Sequence, residues 1–279
     1  MQLLKGKAVA DAHKAVLIKQ IEQAKEQNDN ITLAIVLVEG DSASKMYASF
    51  MKKTAEKIGF VAQIHSLENS ASQDELIELV TKLSNDDSVH GILPMMPLPK
   101  HMDQREVLAH LNPKKDVDGL TIANIGLLAG GEDVFVPCTP LACMAILDYY
   151  NILLEGKNVV VLGRSNVVGK PVANLLLARN ATVTICHSRT QNLADIVAKA
   201  DIVVAAIGKA NFVTANMLKP GAIVIDVGIN DLDGKTVGDV DFENVSEKVS
   251  AITPVPGGVG SVTTTMMLEA VYKAYTLSK

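Results

Sequence analysis

Two spacings of apolar residues alternate along this chain. Residues 8–27, rich in Ala, Lys, Gln and Glu, place apolar positions at helical spacing. The run Leu33–Val38 is short, β-rich and closed by Glu39-Gly40, which predicts a buried strand. Ser42–Ile58 predicts a helix with Gly59 just past its end. Phe60–Leu67 reads as a strand, and Ser72–Ser84 as a helix with Asp74 and Glu75 in its first turn. Val89–Leu93 reads as a strand halted by Pro94, Pro97 and Pro99. A second block repeats the alternation, with strands at Asn158–Leu162, Thr182–Cys186, Ile202–Ala206 and Ala222–Val227 and helices at Pro171–Arg179 and Asn192–Lys199. Asp116–Pro140, with its paired glycines and prolines, reads as the link, and Thr263–Tyr275 as a final apolar helix. Strands alternating with helices predict an α/β fold of two domains, each a parallel sheet with helices on its faces.

Composition narrows the function classes. The 279 residues carry 26 Lys+Arg against 31 Asp+Glu, a net charge of −5, with no long basic run, which excludes a nucleic-acid binder. Aromatics are 4% and Trp is absent, so base stacking has little to work with. No apolar run approaches the ~20 residues of a membrane helix, and residues 1–10 lack a signal-like stretch, so a soluble cytosolic protein is expected. Three cysteines, Cys138, Cys143 and Cys186, have no metal-ligand spacing and do not make a disulfide framework.

The clearest chemical motif lies in the second block. Gly163-Arg164-Ser165, with Gly169 beyond, sits between a strand and a helix. Glycine lets backbone approach a pyrophosphate, and a helix N-terminus offers free N–H groups to it. The spacing departs from G-x-G-x-x-G, so a tight structural turn is the competing reading. Ser188, Arg189 and Thr190 follow the next strand, where a Rossmann unit meets the adenosine ribose, and no acidic residue stands there for a free 2′-hydroxyl. Hydroxyl and basic groups suit a 2′-phosphate, so NADP is expected rather than NAD.

Several segments together resemble one family, the methylenetetrahydrofolate dehydrogenase/cyclohydrolases of one-carbon metabolism. They are Lys115-Asp-Val-Asp-Gly119, Pro137-Cys-Thr-Pro140, Gly163-Arg-Ser…Val168-Gly169, Thr182–Ser188, Val224–Asn230, Val237-Gly-Asp-Val240 and Ile252–Gly260. They occur in the family's order over nearly the whole chain. The resemblance implies a folate-binding catalytic domain over 1–120, a Rossmann NADP-binding domain with its linker over 121–262, and a C-terminal helix, 263–279, completing the first. It implies hydride transfer from 5,10-methylenetetrahydrofolate to a nicotinamide, then water addition to the methenyl cation to give 10-formyltetrahydrofolate. It also implies a homodimer formed through the Rossmann domain. Tyr47, Leu98, Asp118, Pro256, Gly257 and Gly258 fall at substrate positions, and Gly163, Arg164, Ser165, Gly169, Ser188, Arg189, Thr190 and Ile229 at cofactor positions.

Two departures bear on mechanism. The family places a Lys four residues after its active-site Tyr; here Tyr47 is followed by Met51, with Lys52 and Lys53 roughly 120–140° away around a helix. The family places a Gln two residues before Pro-Leu-Pro; here that residue is Met95. The resemblance assigns the Gln to tuning the Lys, so both members of one pair are methionine, which neither exchanges a proton nor carries charge. Water activation needs a proton-exchanging group, whereas hydride transfer depends mainly on positioning. The expectation is therefore a dehydrogenase with cyclohydrolase activity absent or strongly reduced. The alternatives are a full bifunctional enzyme, with a lysine such as Lys45 substituting, an inert folate- or nucleotide-binding module, and a dehydrogenase of another small substrate.

Competing structural readings stand beside several residues. Tyr47 also fits a half-buried helix aromatic, and Asp118 an Asx-turn residue before Gly119, with Asp116 the more structural of the two. Gly257 and Gly258 also fit a simple need for positive φ. Ser261-Val262 stands where the family usually continues Pro-Met, a mild change because Ser can serve as an N-cap for the last helix. Cys186 reads as a small buried residue rather than a nucleophile.

Overall fold

Helix boundaries fall where local chemistry stops the backbone. The computed structural model describes all 279 residues. In chain order the elements are β1 (Gln2–Leu3), α1 (Gly6–Glu26), β2 (Thr32–Val38), α2 (Ser42–Ile58), β3 (Val61–Leu67), α3 (Gln73–Ser84), β4 (Gly91–Pro94), α4 (Gln104–Ala109), α5 (Ile122–Ala129) and α6 (Cys138–Tyr149). They continue with β5 (Asn158–Leu162), α7 (Gly169–Ala178), β6 (Thr182–Cys186), α8 (Leu193–Val197), β7 (Ile202–Ala205), β8 (Ile223–Asp226), β9 (Asn230–Leu232), β10 (Lys235–Val237), α9 (Phe242–Ser246), β11 (Ala251–Ile252) and α10 (Thr263–Leu277). Asp41 caps α2 by accepting from Ser44 N at 2.8 Å, and Gly59 ends it at φ 111°, the left-handed conformation. Ser72 and Glu75 form a reciprocal capping box on α3.

The chain divides into two units. One comprises residues 13–128, 132–136 and 267–279. Its sheet is parallel, in the order β3-β2-β4, and every residue of the central β2 is buried. Ala34, Val36, Leu76, Val80, Ile92 and Val107 share its core. Residues of α10 close it: Tyr275 donates to Asp29 at 2.6 Å, and Val271 packs so near Gly91 that a Cβ there would lie 3.2 Å away.

The other unit comprises residues 1–12, 129–131 and 137–266. Its six-stranded sheet runs β1-β11-β8-β7-β5-β6, all parallel. The chain leaves β5 for β6 on one side and returns to β7 on the other, so the crossover direction reverses at β5. In such sheets ligands bind at that reversal, beyond the carboxyl ends of the strands. Leu162, Cys186 and Ala205 stand in register, so the three following loops rise from one edge.

The α/β class and the main elements match expectation, with local corrections. The link is not unstructured: α5 lies within it and α6 begins at Cys138. The strand expected at 89–93 runs Gly91–Pro94, because the His90 ring accepts from Thr32 N, and Pro94 is tolerated at the end of an edge strand. The helix expected from Asn192 starts at Leu193, since Asn192 adopts φ 52°. α7 begins two residues before Pro171, whose missing N–H belongs to the unpaired first turn. Ser261 does not cap α10; it ends a 3₁₀ turn, Val259–Ser261, and donates its N–H to Gly258 O at 3.0 Å.

Candidate functional site

The loop after β5 is built on close backbone approach. Gly163 has φ 119°, and a Cβ there would collide with Ala206 O. A Cβ at Gly169 would collide with Gly163 O. Ser165 Oγ accepts from Val168 N at 3.1 Å and Gly169 N at 3.3 Å, holding the loop against the first turn of α7. After β6, Thr190 Oγ1 accepts from His187 N at 2.9 Å, and His187 Nδ1 accepts from Arg189 N at 3.1 Å. The loops after β5, β6 and β7 enclose a cavity of about 550 Å³. Gly163, Arg164, Ser165, Ser188 and Thr190 line it, so five of the eight predicted cofactor residues are brought together. Gly169 lies behind the loop, and Arg189 and Ile229 are not on the wall; Ile229 is 70% exposed, its Cδ1 3.5 Å from where a Gly260 Cβ would be. Sequence reasoning missed His187, Lys209 and Phe212, which also line the cavity. The glycine cradle, the free-standing Arg164 and the hydroxyls of Ser188 and Thr190 fit a dinucleotide.

Two buried aspartates brace this edge of the sheet. Asp239 accepts from three consecutive backbone N–H groups, Ile207 at 2.6 Å, Gly208 at 2.9 Å and Lys209 at 2.8 Å, and from Asn230 Nδ2 at 3.0 Å. Asp226 accepts from Gly228 N, Asp239 N and Val240 N at 2.9–3.0 Å. Burial pushes the Asp226 carboxyl up to about 6, against those N–H donors, and the neighbouring Asp239 charge adds to the rise. Gly228 and Gly238 are glycine for a steric reason: a Cβ on either would strike the Asp239 or Asp226 carboxylate.

The predicted folate residues fall in both units. On α2 the buried positions are Ser44, Ala48, Met51, Ala55 and Ile58, one inward stripe. Met51 is fully buried, whereas Tyr47, one turn earlier, is 37% exposed, with its ring 6.5 Å from that of Phe50. The expected shared direction of 47 and 51 is thus only approximate; a small rotation places one at the surface and the other beneath the helix. Ser44 Oγ donates to Met96 O at 3.3 Å, tying α2 to the turn that holds Met95 and Leu98. Met95 is buried and its N–H donates to Val36 O at 2.8 Å; Leu98 is half-buried. The Lys45 ammonium is engaged by a carboxylate: its Nζ pairs with Glu39 at 2.9 Å.

Asp116 is the structural member of its pair. It is buried and accepts from Leu120 N, Thr121 N and Asn124 Nδ2 at 2.8–3.1 Å, while its own strand bridge reaches Ile92. Asp118, two residues on, is half-buried. Gly119, at φ 60°, lies where a Cβ would come within 2.5 Å of Phe135 O. In the other unit Gly257 has φ 104° and accepts from Gly6 N at 2.8 Å through its carbonyl, and a Cβ on Gly258 would collide with Pro254 O. Both glycines are therefore required by the backbone itself. Pro256 stands exposed beside them.

Comparison with known proteins follows the same division. Residues 4–118 match the family described as tetrahydrofolate dehydrogenase/cyclohydrolase, catalytic domain, and residues 137–279 its NAD(P)-binding domain. The chain is 51% identical over 270 residues to the bifunctional protein FolD of Campylobacter concisus, covering 96% of this chain and 95% of that one. It superposes with a TM-score of 0.97 on the bifunctional FolD enzyme, methylenetetrahydrofolate dehydrogenase/cyclohydrolase, of Campylobacter jejuni, at 44% identity and 99% coverage of both. The Trypanosoma brucei dehydrogenase-cyclohydrolase, solved with NADP cofactor and inhibitor, gives a TM-score of 0.92 at 35% identity, covering 99% of this chain and 97% of that one.

Proposed function

The chain belongs to the tetrahydrofolate dehydrogenase/cyclohydrolase family, and from that premise we propose that it oxidises 5,10-methylenetetrahydrofolate to the methenyl form with NADP. The observation that carries this reading is the cavity at the β5 reversal, walled by the glycine loop, Arg164 and Ser188. When bound there, NADP supplies the hydride acceptor. The chain's own groups bind and orient: Gly163 and Gly169 admit the phosphates, Ser188 and Arg164 favour the 2′-phosphate, and Asp118 and Tyr47 hold the pterin by hydrogen bonding and stacking. The test is purified protein with 5,10-methylenetetrahydrofolate and NADP, read as NADPH formation. No formation with either nicotinamide would leave an inert module.

For the second reaction, the names of the relatives support the bifunctional reading better than loss of the cyclohydrolase. One observation on this chain favours loss. Position 51 is a fully buried methionine, Met95 is buried likewise, and Lys45 is engaged by Glu39. None of these can take a proton from water at the methenyl carbon. In this reading the protein keeps hydride transfer and leaves water addition slow. The reading also carries a homodimer through the Rossmann unit, supported by β6 lying at the sheet edge with Ile185 40% exposed. Mass measurement in solution tests it.

A further inference from the structure

We propose that Lys209 is a cofactor-recognition residue whose ammonium meets a phosphate of the dinucleotide, and that Asp239 is the positioning residue that aims it. This rests on the dinucleotide reading of the cavity. Three successive backbone N–H groups, on Ile207, Gly208 and Lys209, converge as an anion nest of the kind that binds phosphate. The nest is already filled by the buried Asp239 carboxylate. These three backbone donors are therefore taken, and what residue 209 can still offer an anionic ligand is its side chain.

Lys209 is that side chain. It lines the same cavity as Arg164, and no carboxylate pairs with either cation. Its Nζ rests 5.1 Å from the Phe212 ring centroid, a contact that steadies the ammonium from one side without neutralising it. Two unneutralised cations lining one cavity of an acidic chain fit an anionic ligand. Asp239 fixes the Lys209 backbone directly through its N–H, and Asn230 fixes Asp239 in turn. The competing role is purely structural, with Lys209 only covering Phe212.

The test is direct binding of NADPH, followed by its fluorescence, to wild type, K209M and K209R. K209M is expected to bind about tenfold more weakly, the scale of a lost charged hydrogen bond, and K209R within about threefold of wild type. The thermal midpoint should not move, because residue 209 is exposed. A loss seen with NADPH but not NADH assigns the 2′-phosphate; an equal loss assigns the pyrophosphate. K209M binding as tightly as wild type overturns the proposal. Wild type failing to bind NADPH overturns the dinucleotide reading instead. D239N, where it folds, should weaken binding with little further loss on adding K209M, because both act through one group. Normal binding by folded D239N would overturn the positioning role.

Discussion

Placing a lysine at position 51 probes the enclosure of that site and its chemistry together. Met51 has no exposed surface and sits on the inward stripe of α2 with Ala48 and Ala55. Full burial lowers a lysine pKa by roughly 3–5 units from about 10.4. Taking the lower end, three units at about 1.36 kcal/mol each make M51K ~4 kcal/mol less stable than wild type near neutral pH. The sign follows from the depressed folded-state pKa: between about 7 and about 10 the folded protein binds fewer protons than the unfolded one, so stability rises with pH. The loss is complete below that window and recovers through it. Urea unfolding of both proteins at pH values on either side of about 8 reads the difference. The same desolvation brings the amine near neutrality, where it works as a base, so M51K with M95Q should raise methenyl hydrolysis above the single variants. Equal stability of M51K and wild type at every pH would refute the enclosure and the reasoning built on it.

Other substitutions test the remaining parts. G163A forces a side chain into a left-handed backbone and against Ala206 O, and should cost about 1–3 kcal/mol with a sharp fall in NADPH affinity, read by thermal melting and titration. D116A leaves three buried donors without their acceptor and should lower unfolding free energy by ~3 kcal/mol or more in urea. The Asp226 carboxyl, raised to about 6 from 3.8, takes a proton in the folded state before the unfolded state does. Wild type should therefore gain about 1 kcal/mol over D226N as pH falls from 7 to ~5. His65 and His90, whose burial lowers their pKa, act in the opposite sense, so the difference between the two proteins is the quantity to measure. A difference independent of pH would contradict it.

Much of the fold is legible in the periodicity because the long elements carry their own stop signals. Gly59 ends α2 and Ser72 with Glu75 starts α3 where the pattern places them. β1 and β11, two residues each, are too short for any period, and α5 exposes Ile122 and Leu127, so it shows no polar face. The hairpin of β9 and β10 was findable: Asp233-Gly234, both at positive φ, is a hairpin turn signal between its strands. At the site, the glycine loop is legible because its residues are contiguous between strand and helix. Lys209 is not, because its place depends on Asp239, thirty residues away, closing a nest that local sequence does not reveal.

The most direct test of the proposed division between hydride transfer and water addition follows one sample through both steps. Purified protein with 5,10-methylenetetrahydrofolate and NADP is monitored for NADPH and for the methenyl product together. The expected result is methenyl accumulating one for one with NADPH and decaying no faster than in buffer. Methenyl that fails to accumulate, because 10-formyltetrahydrofolate appears at a rate comparable to NADPH, would contradict the loss of water addition and establish the bifunctional reading.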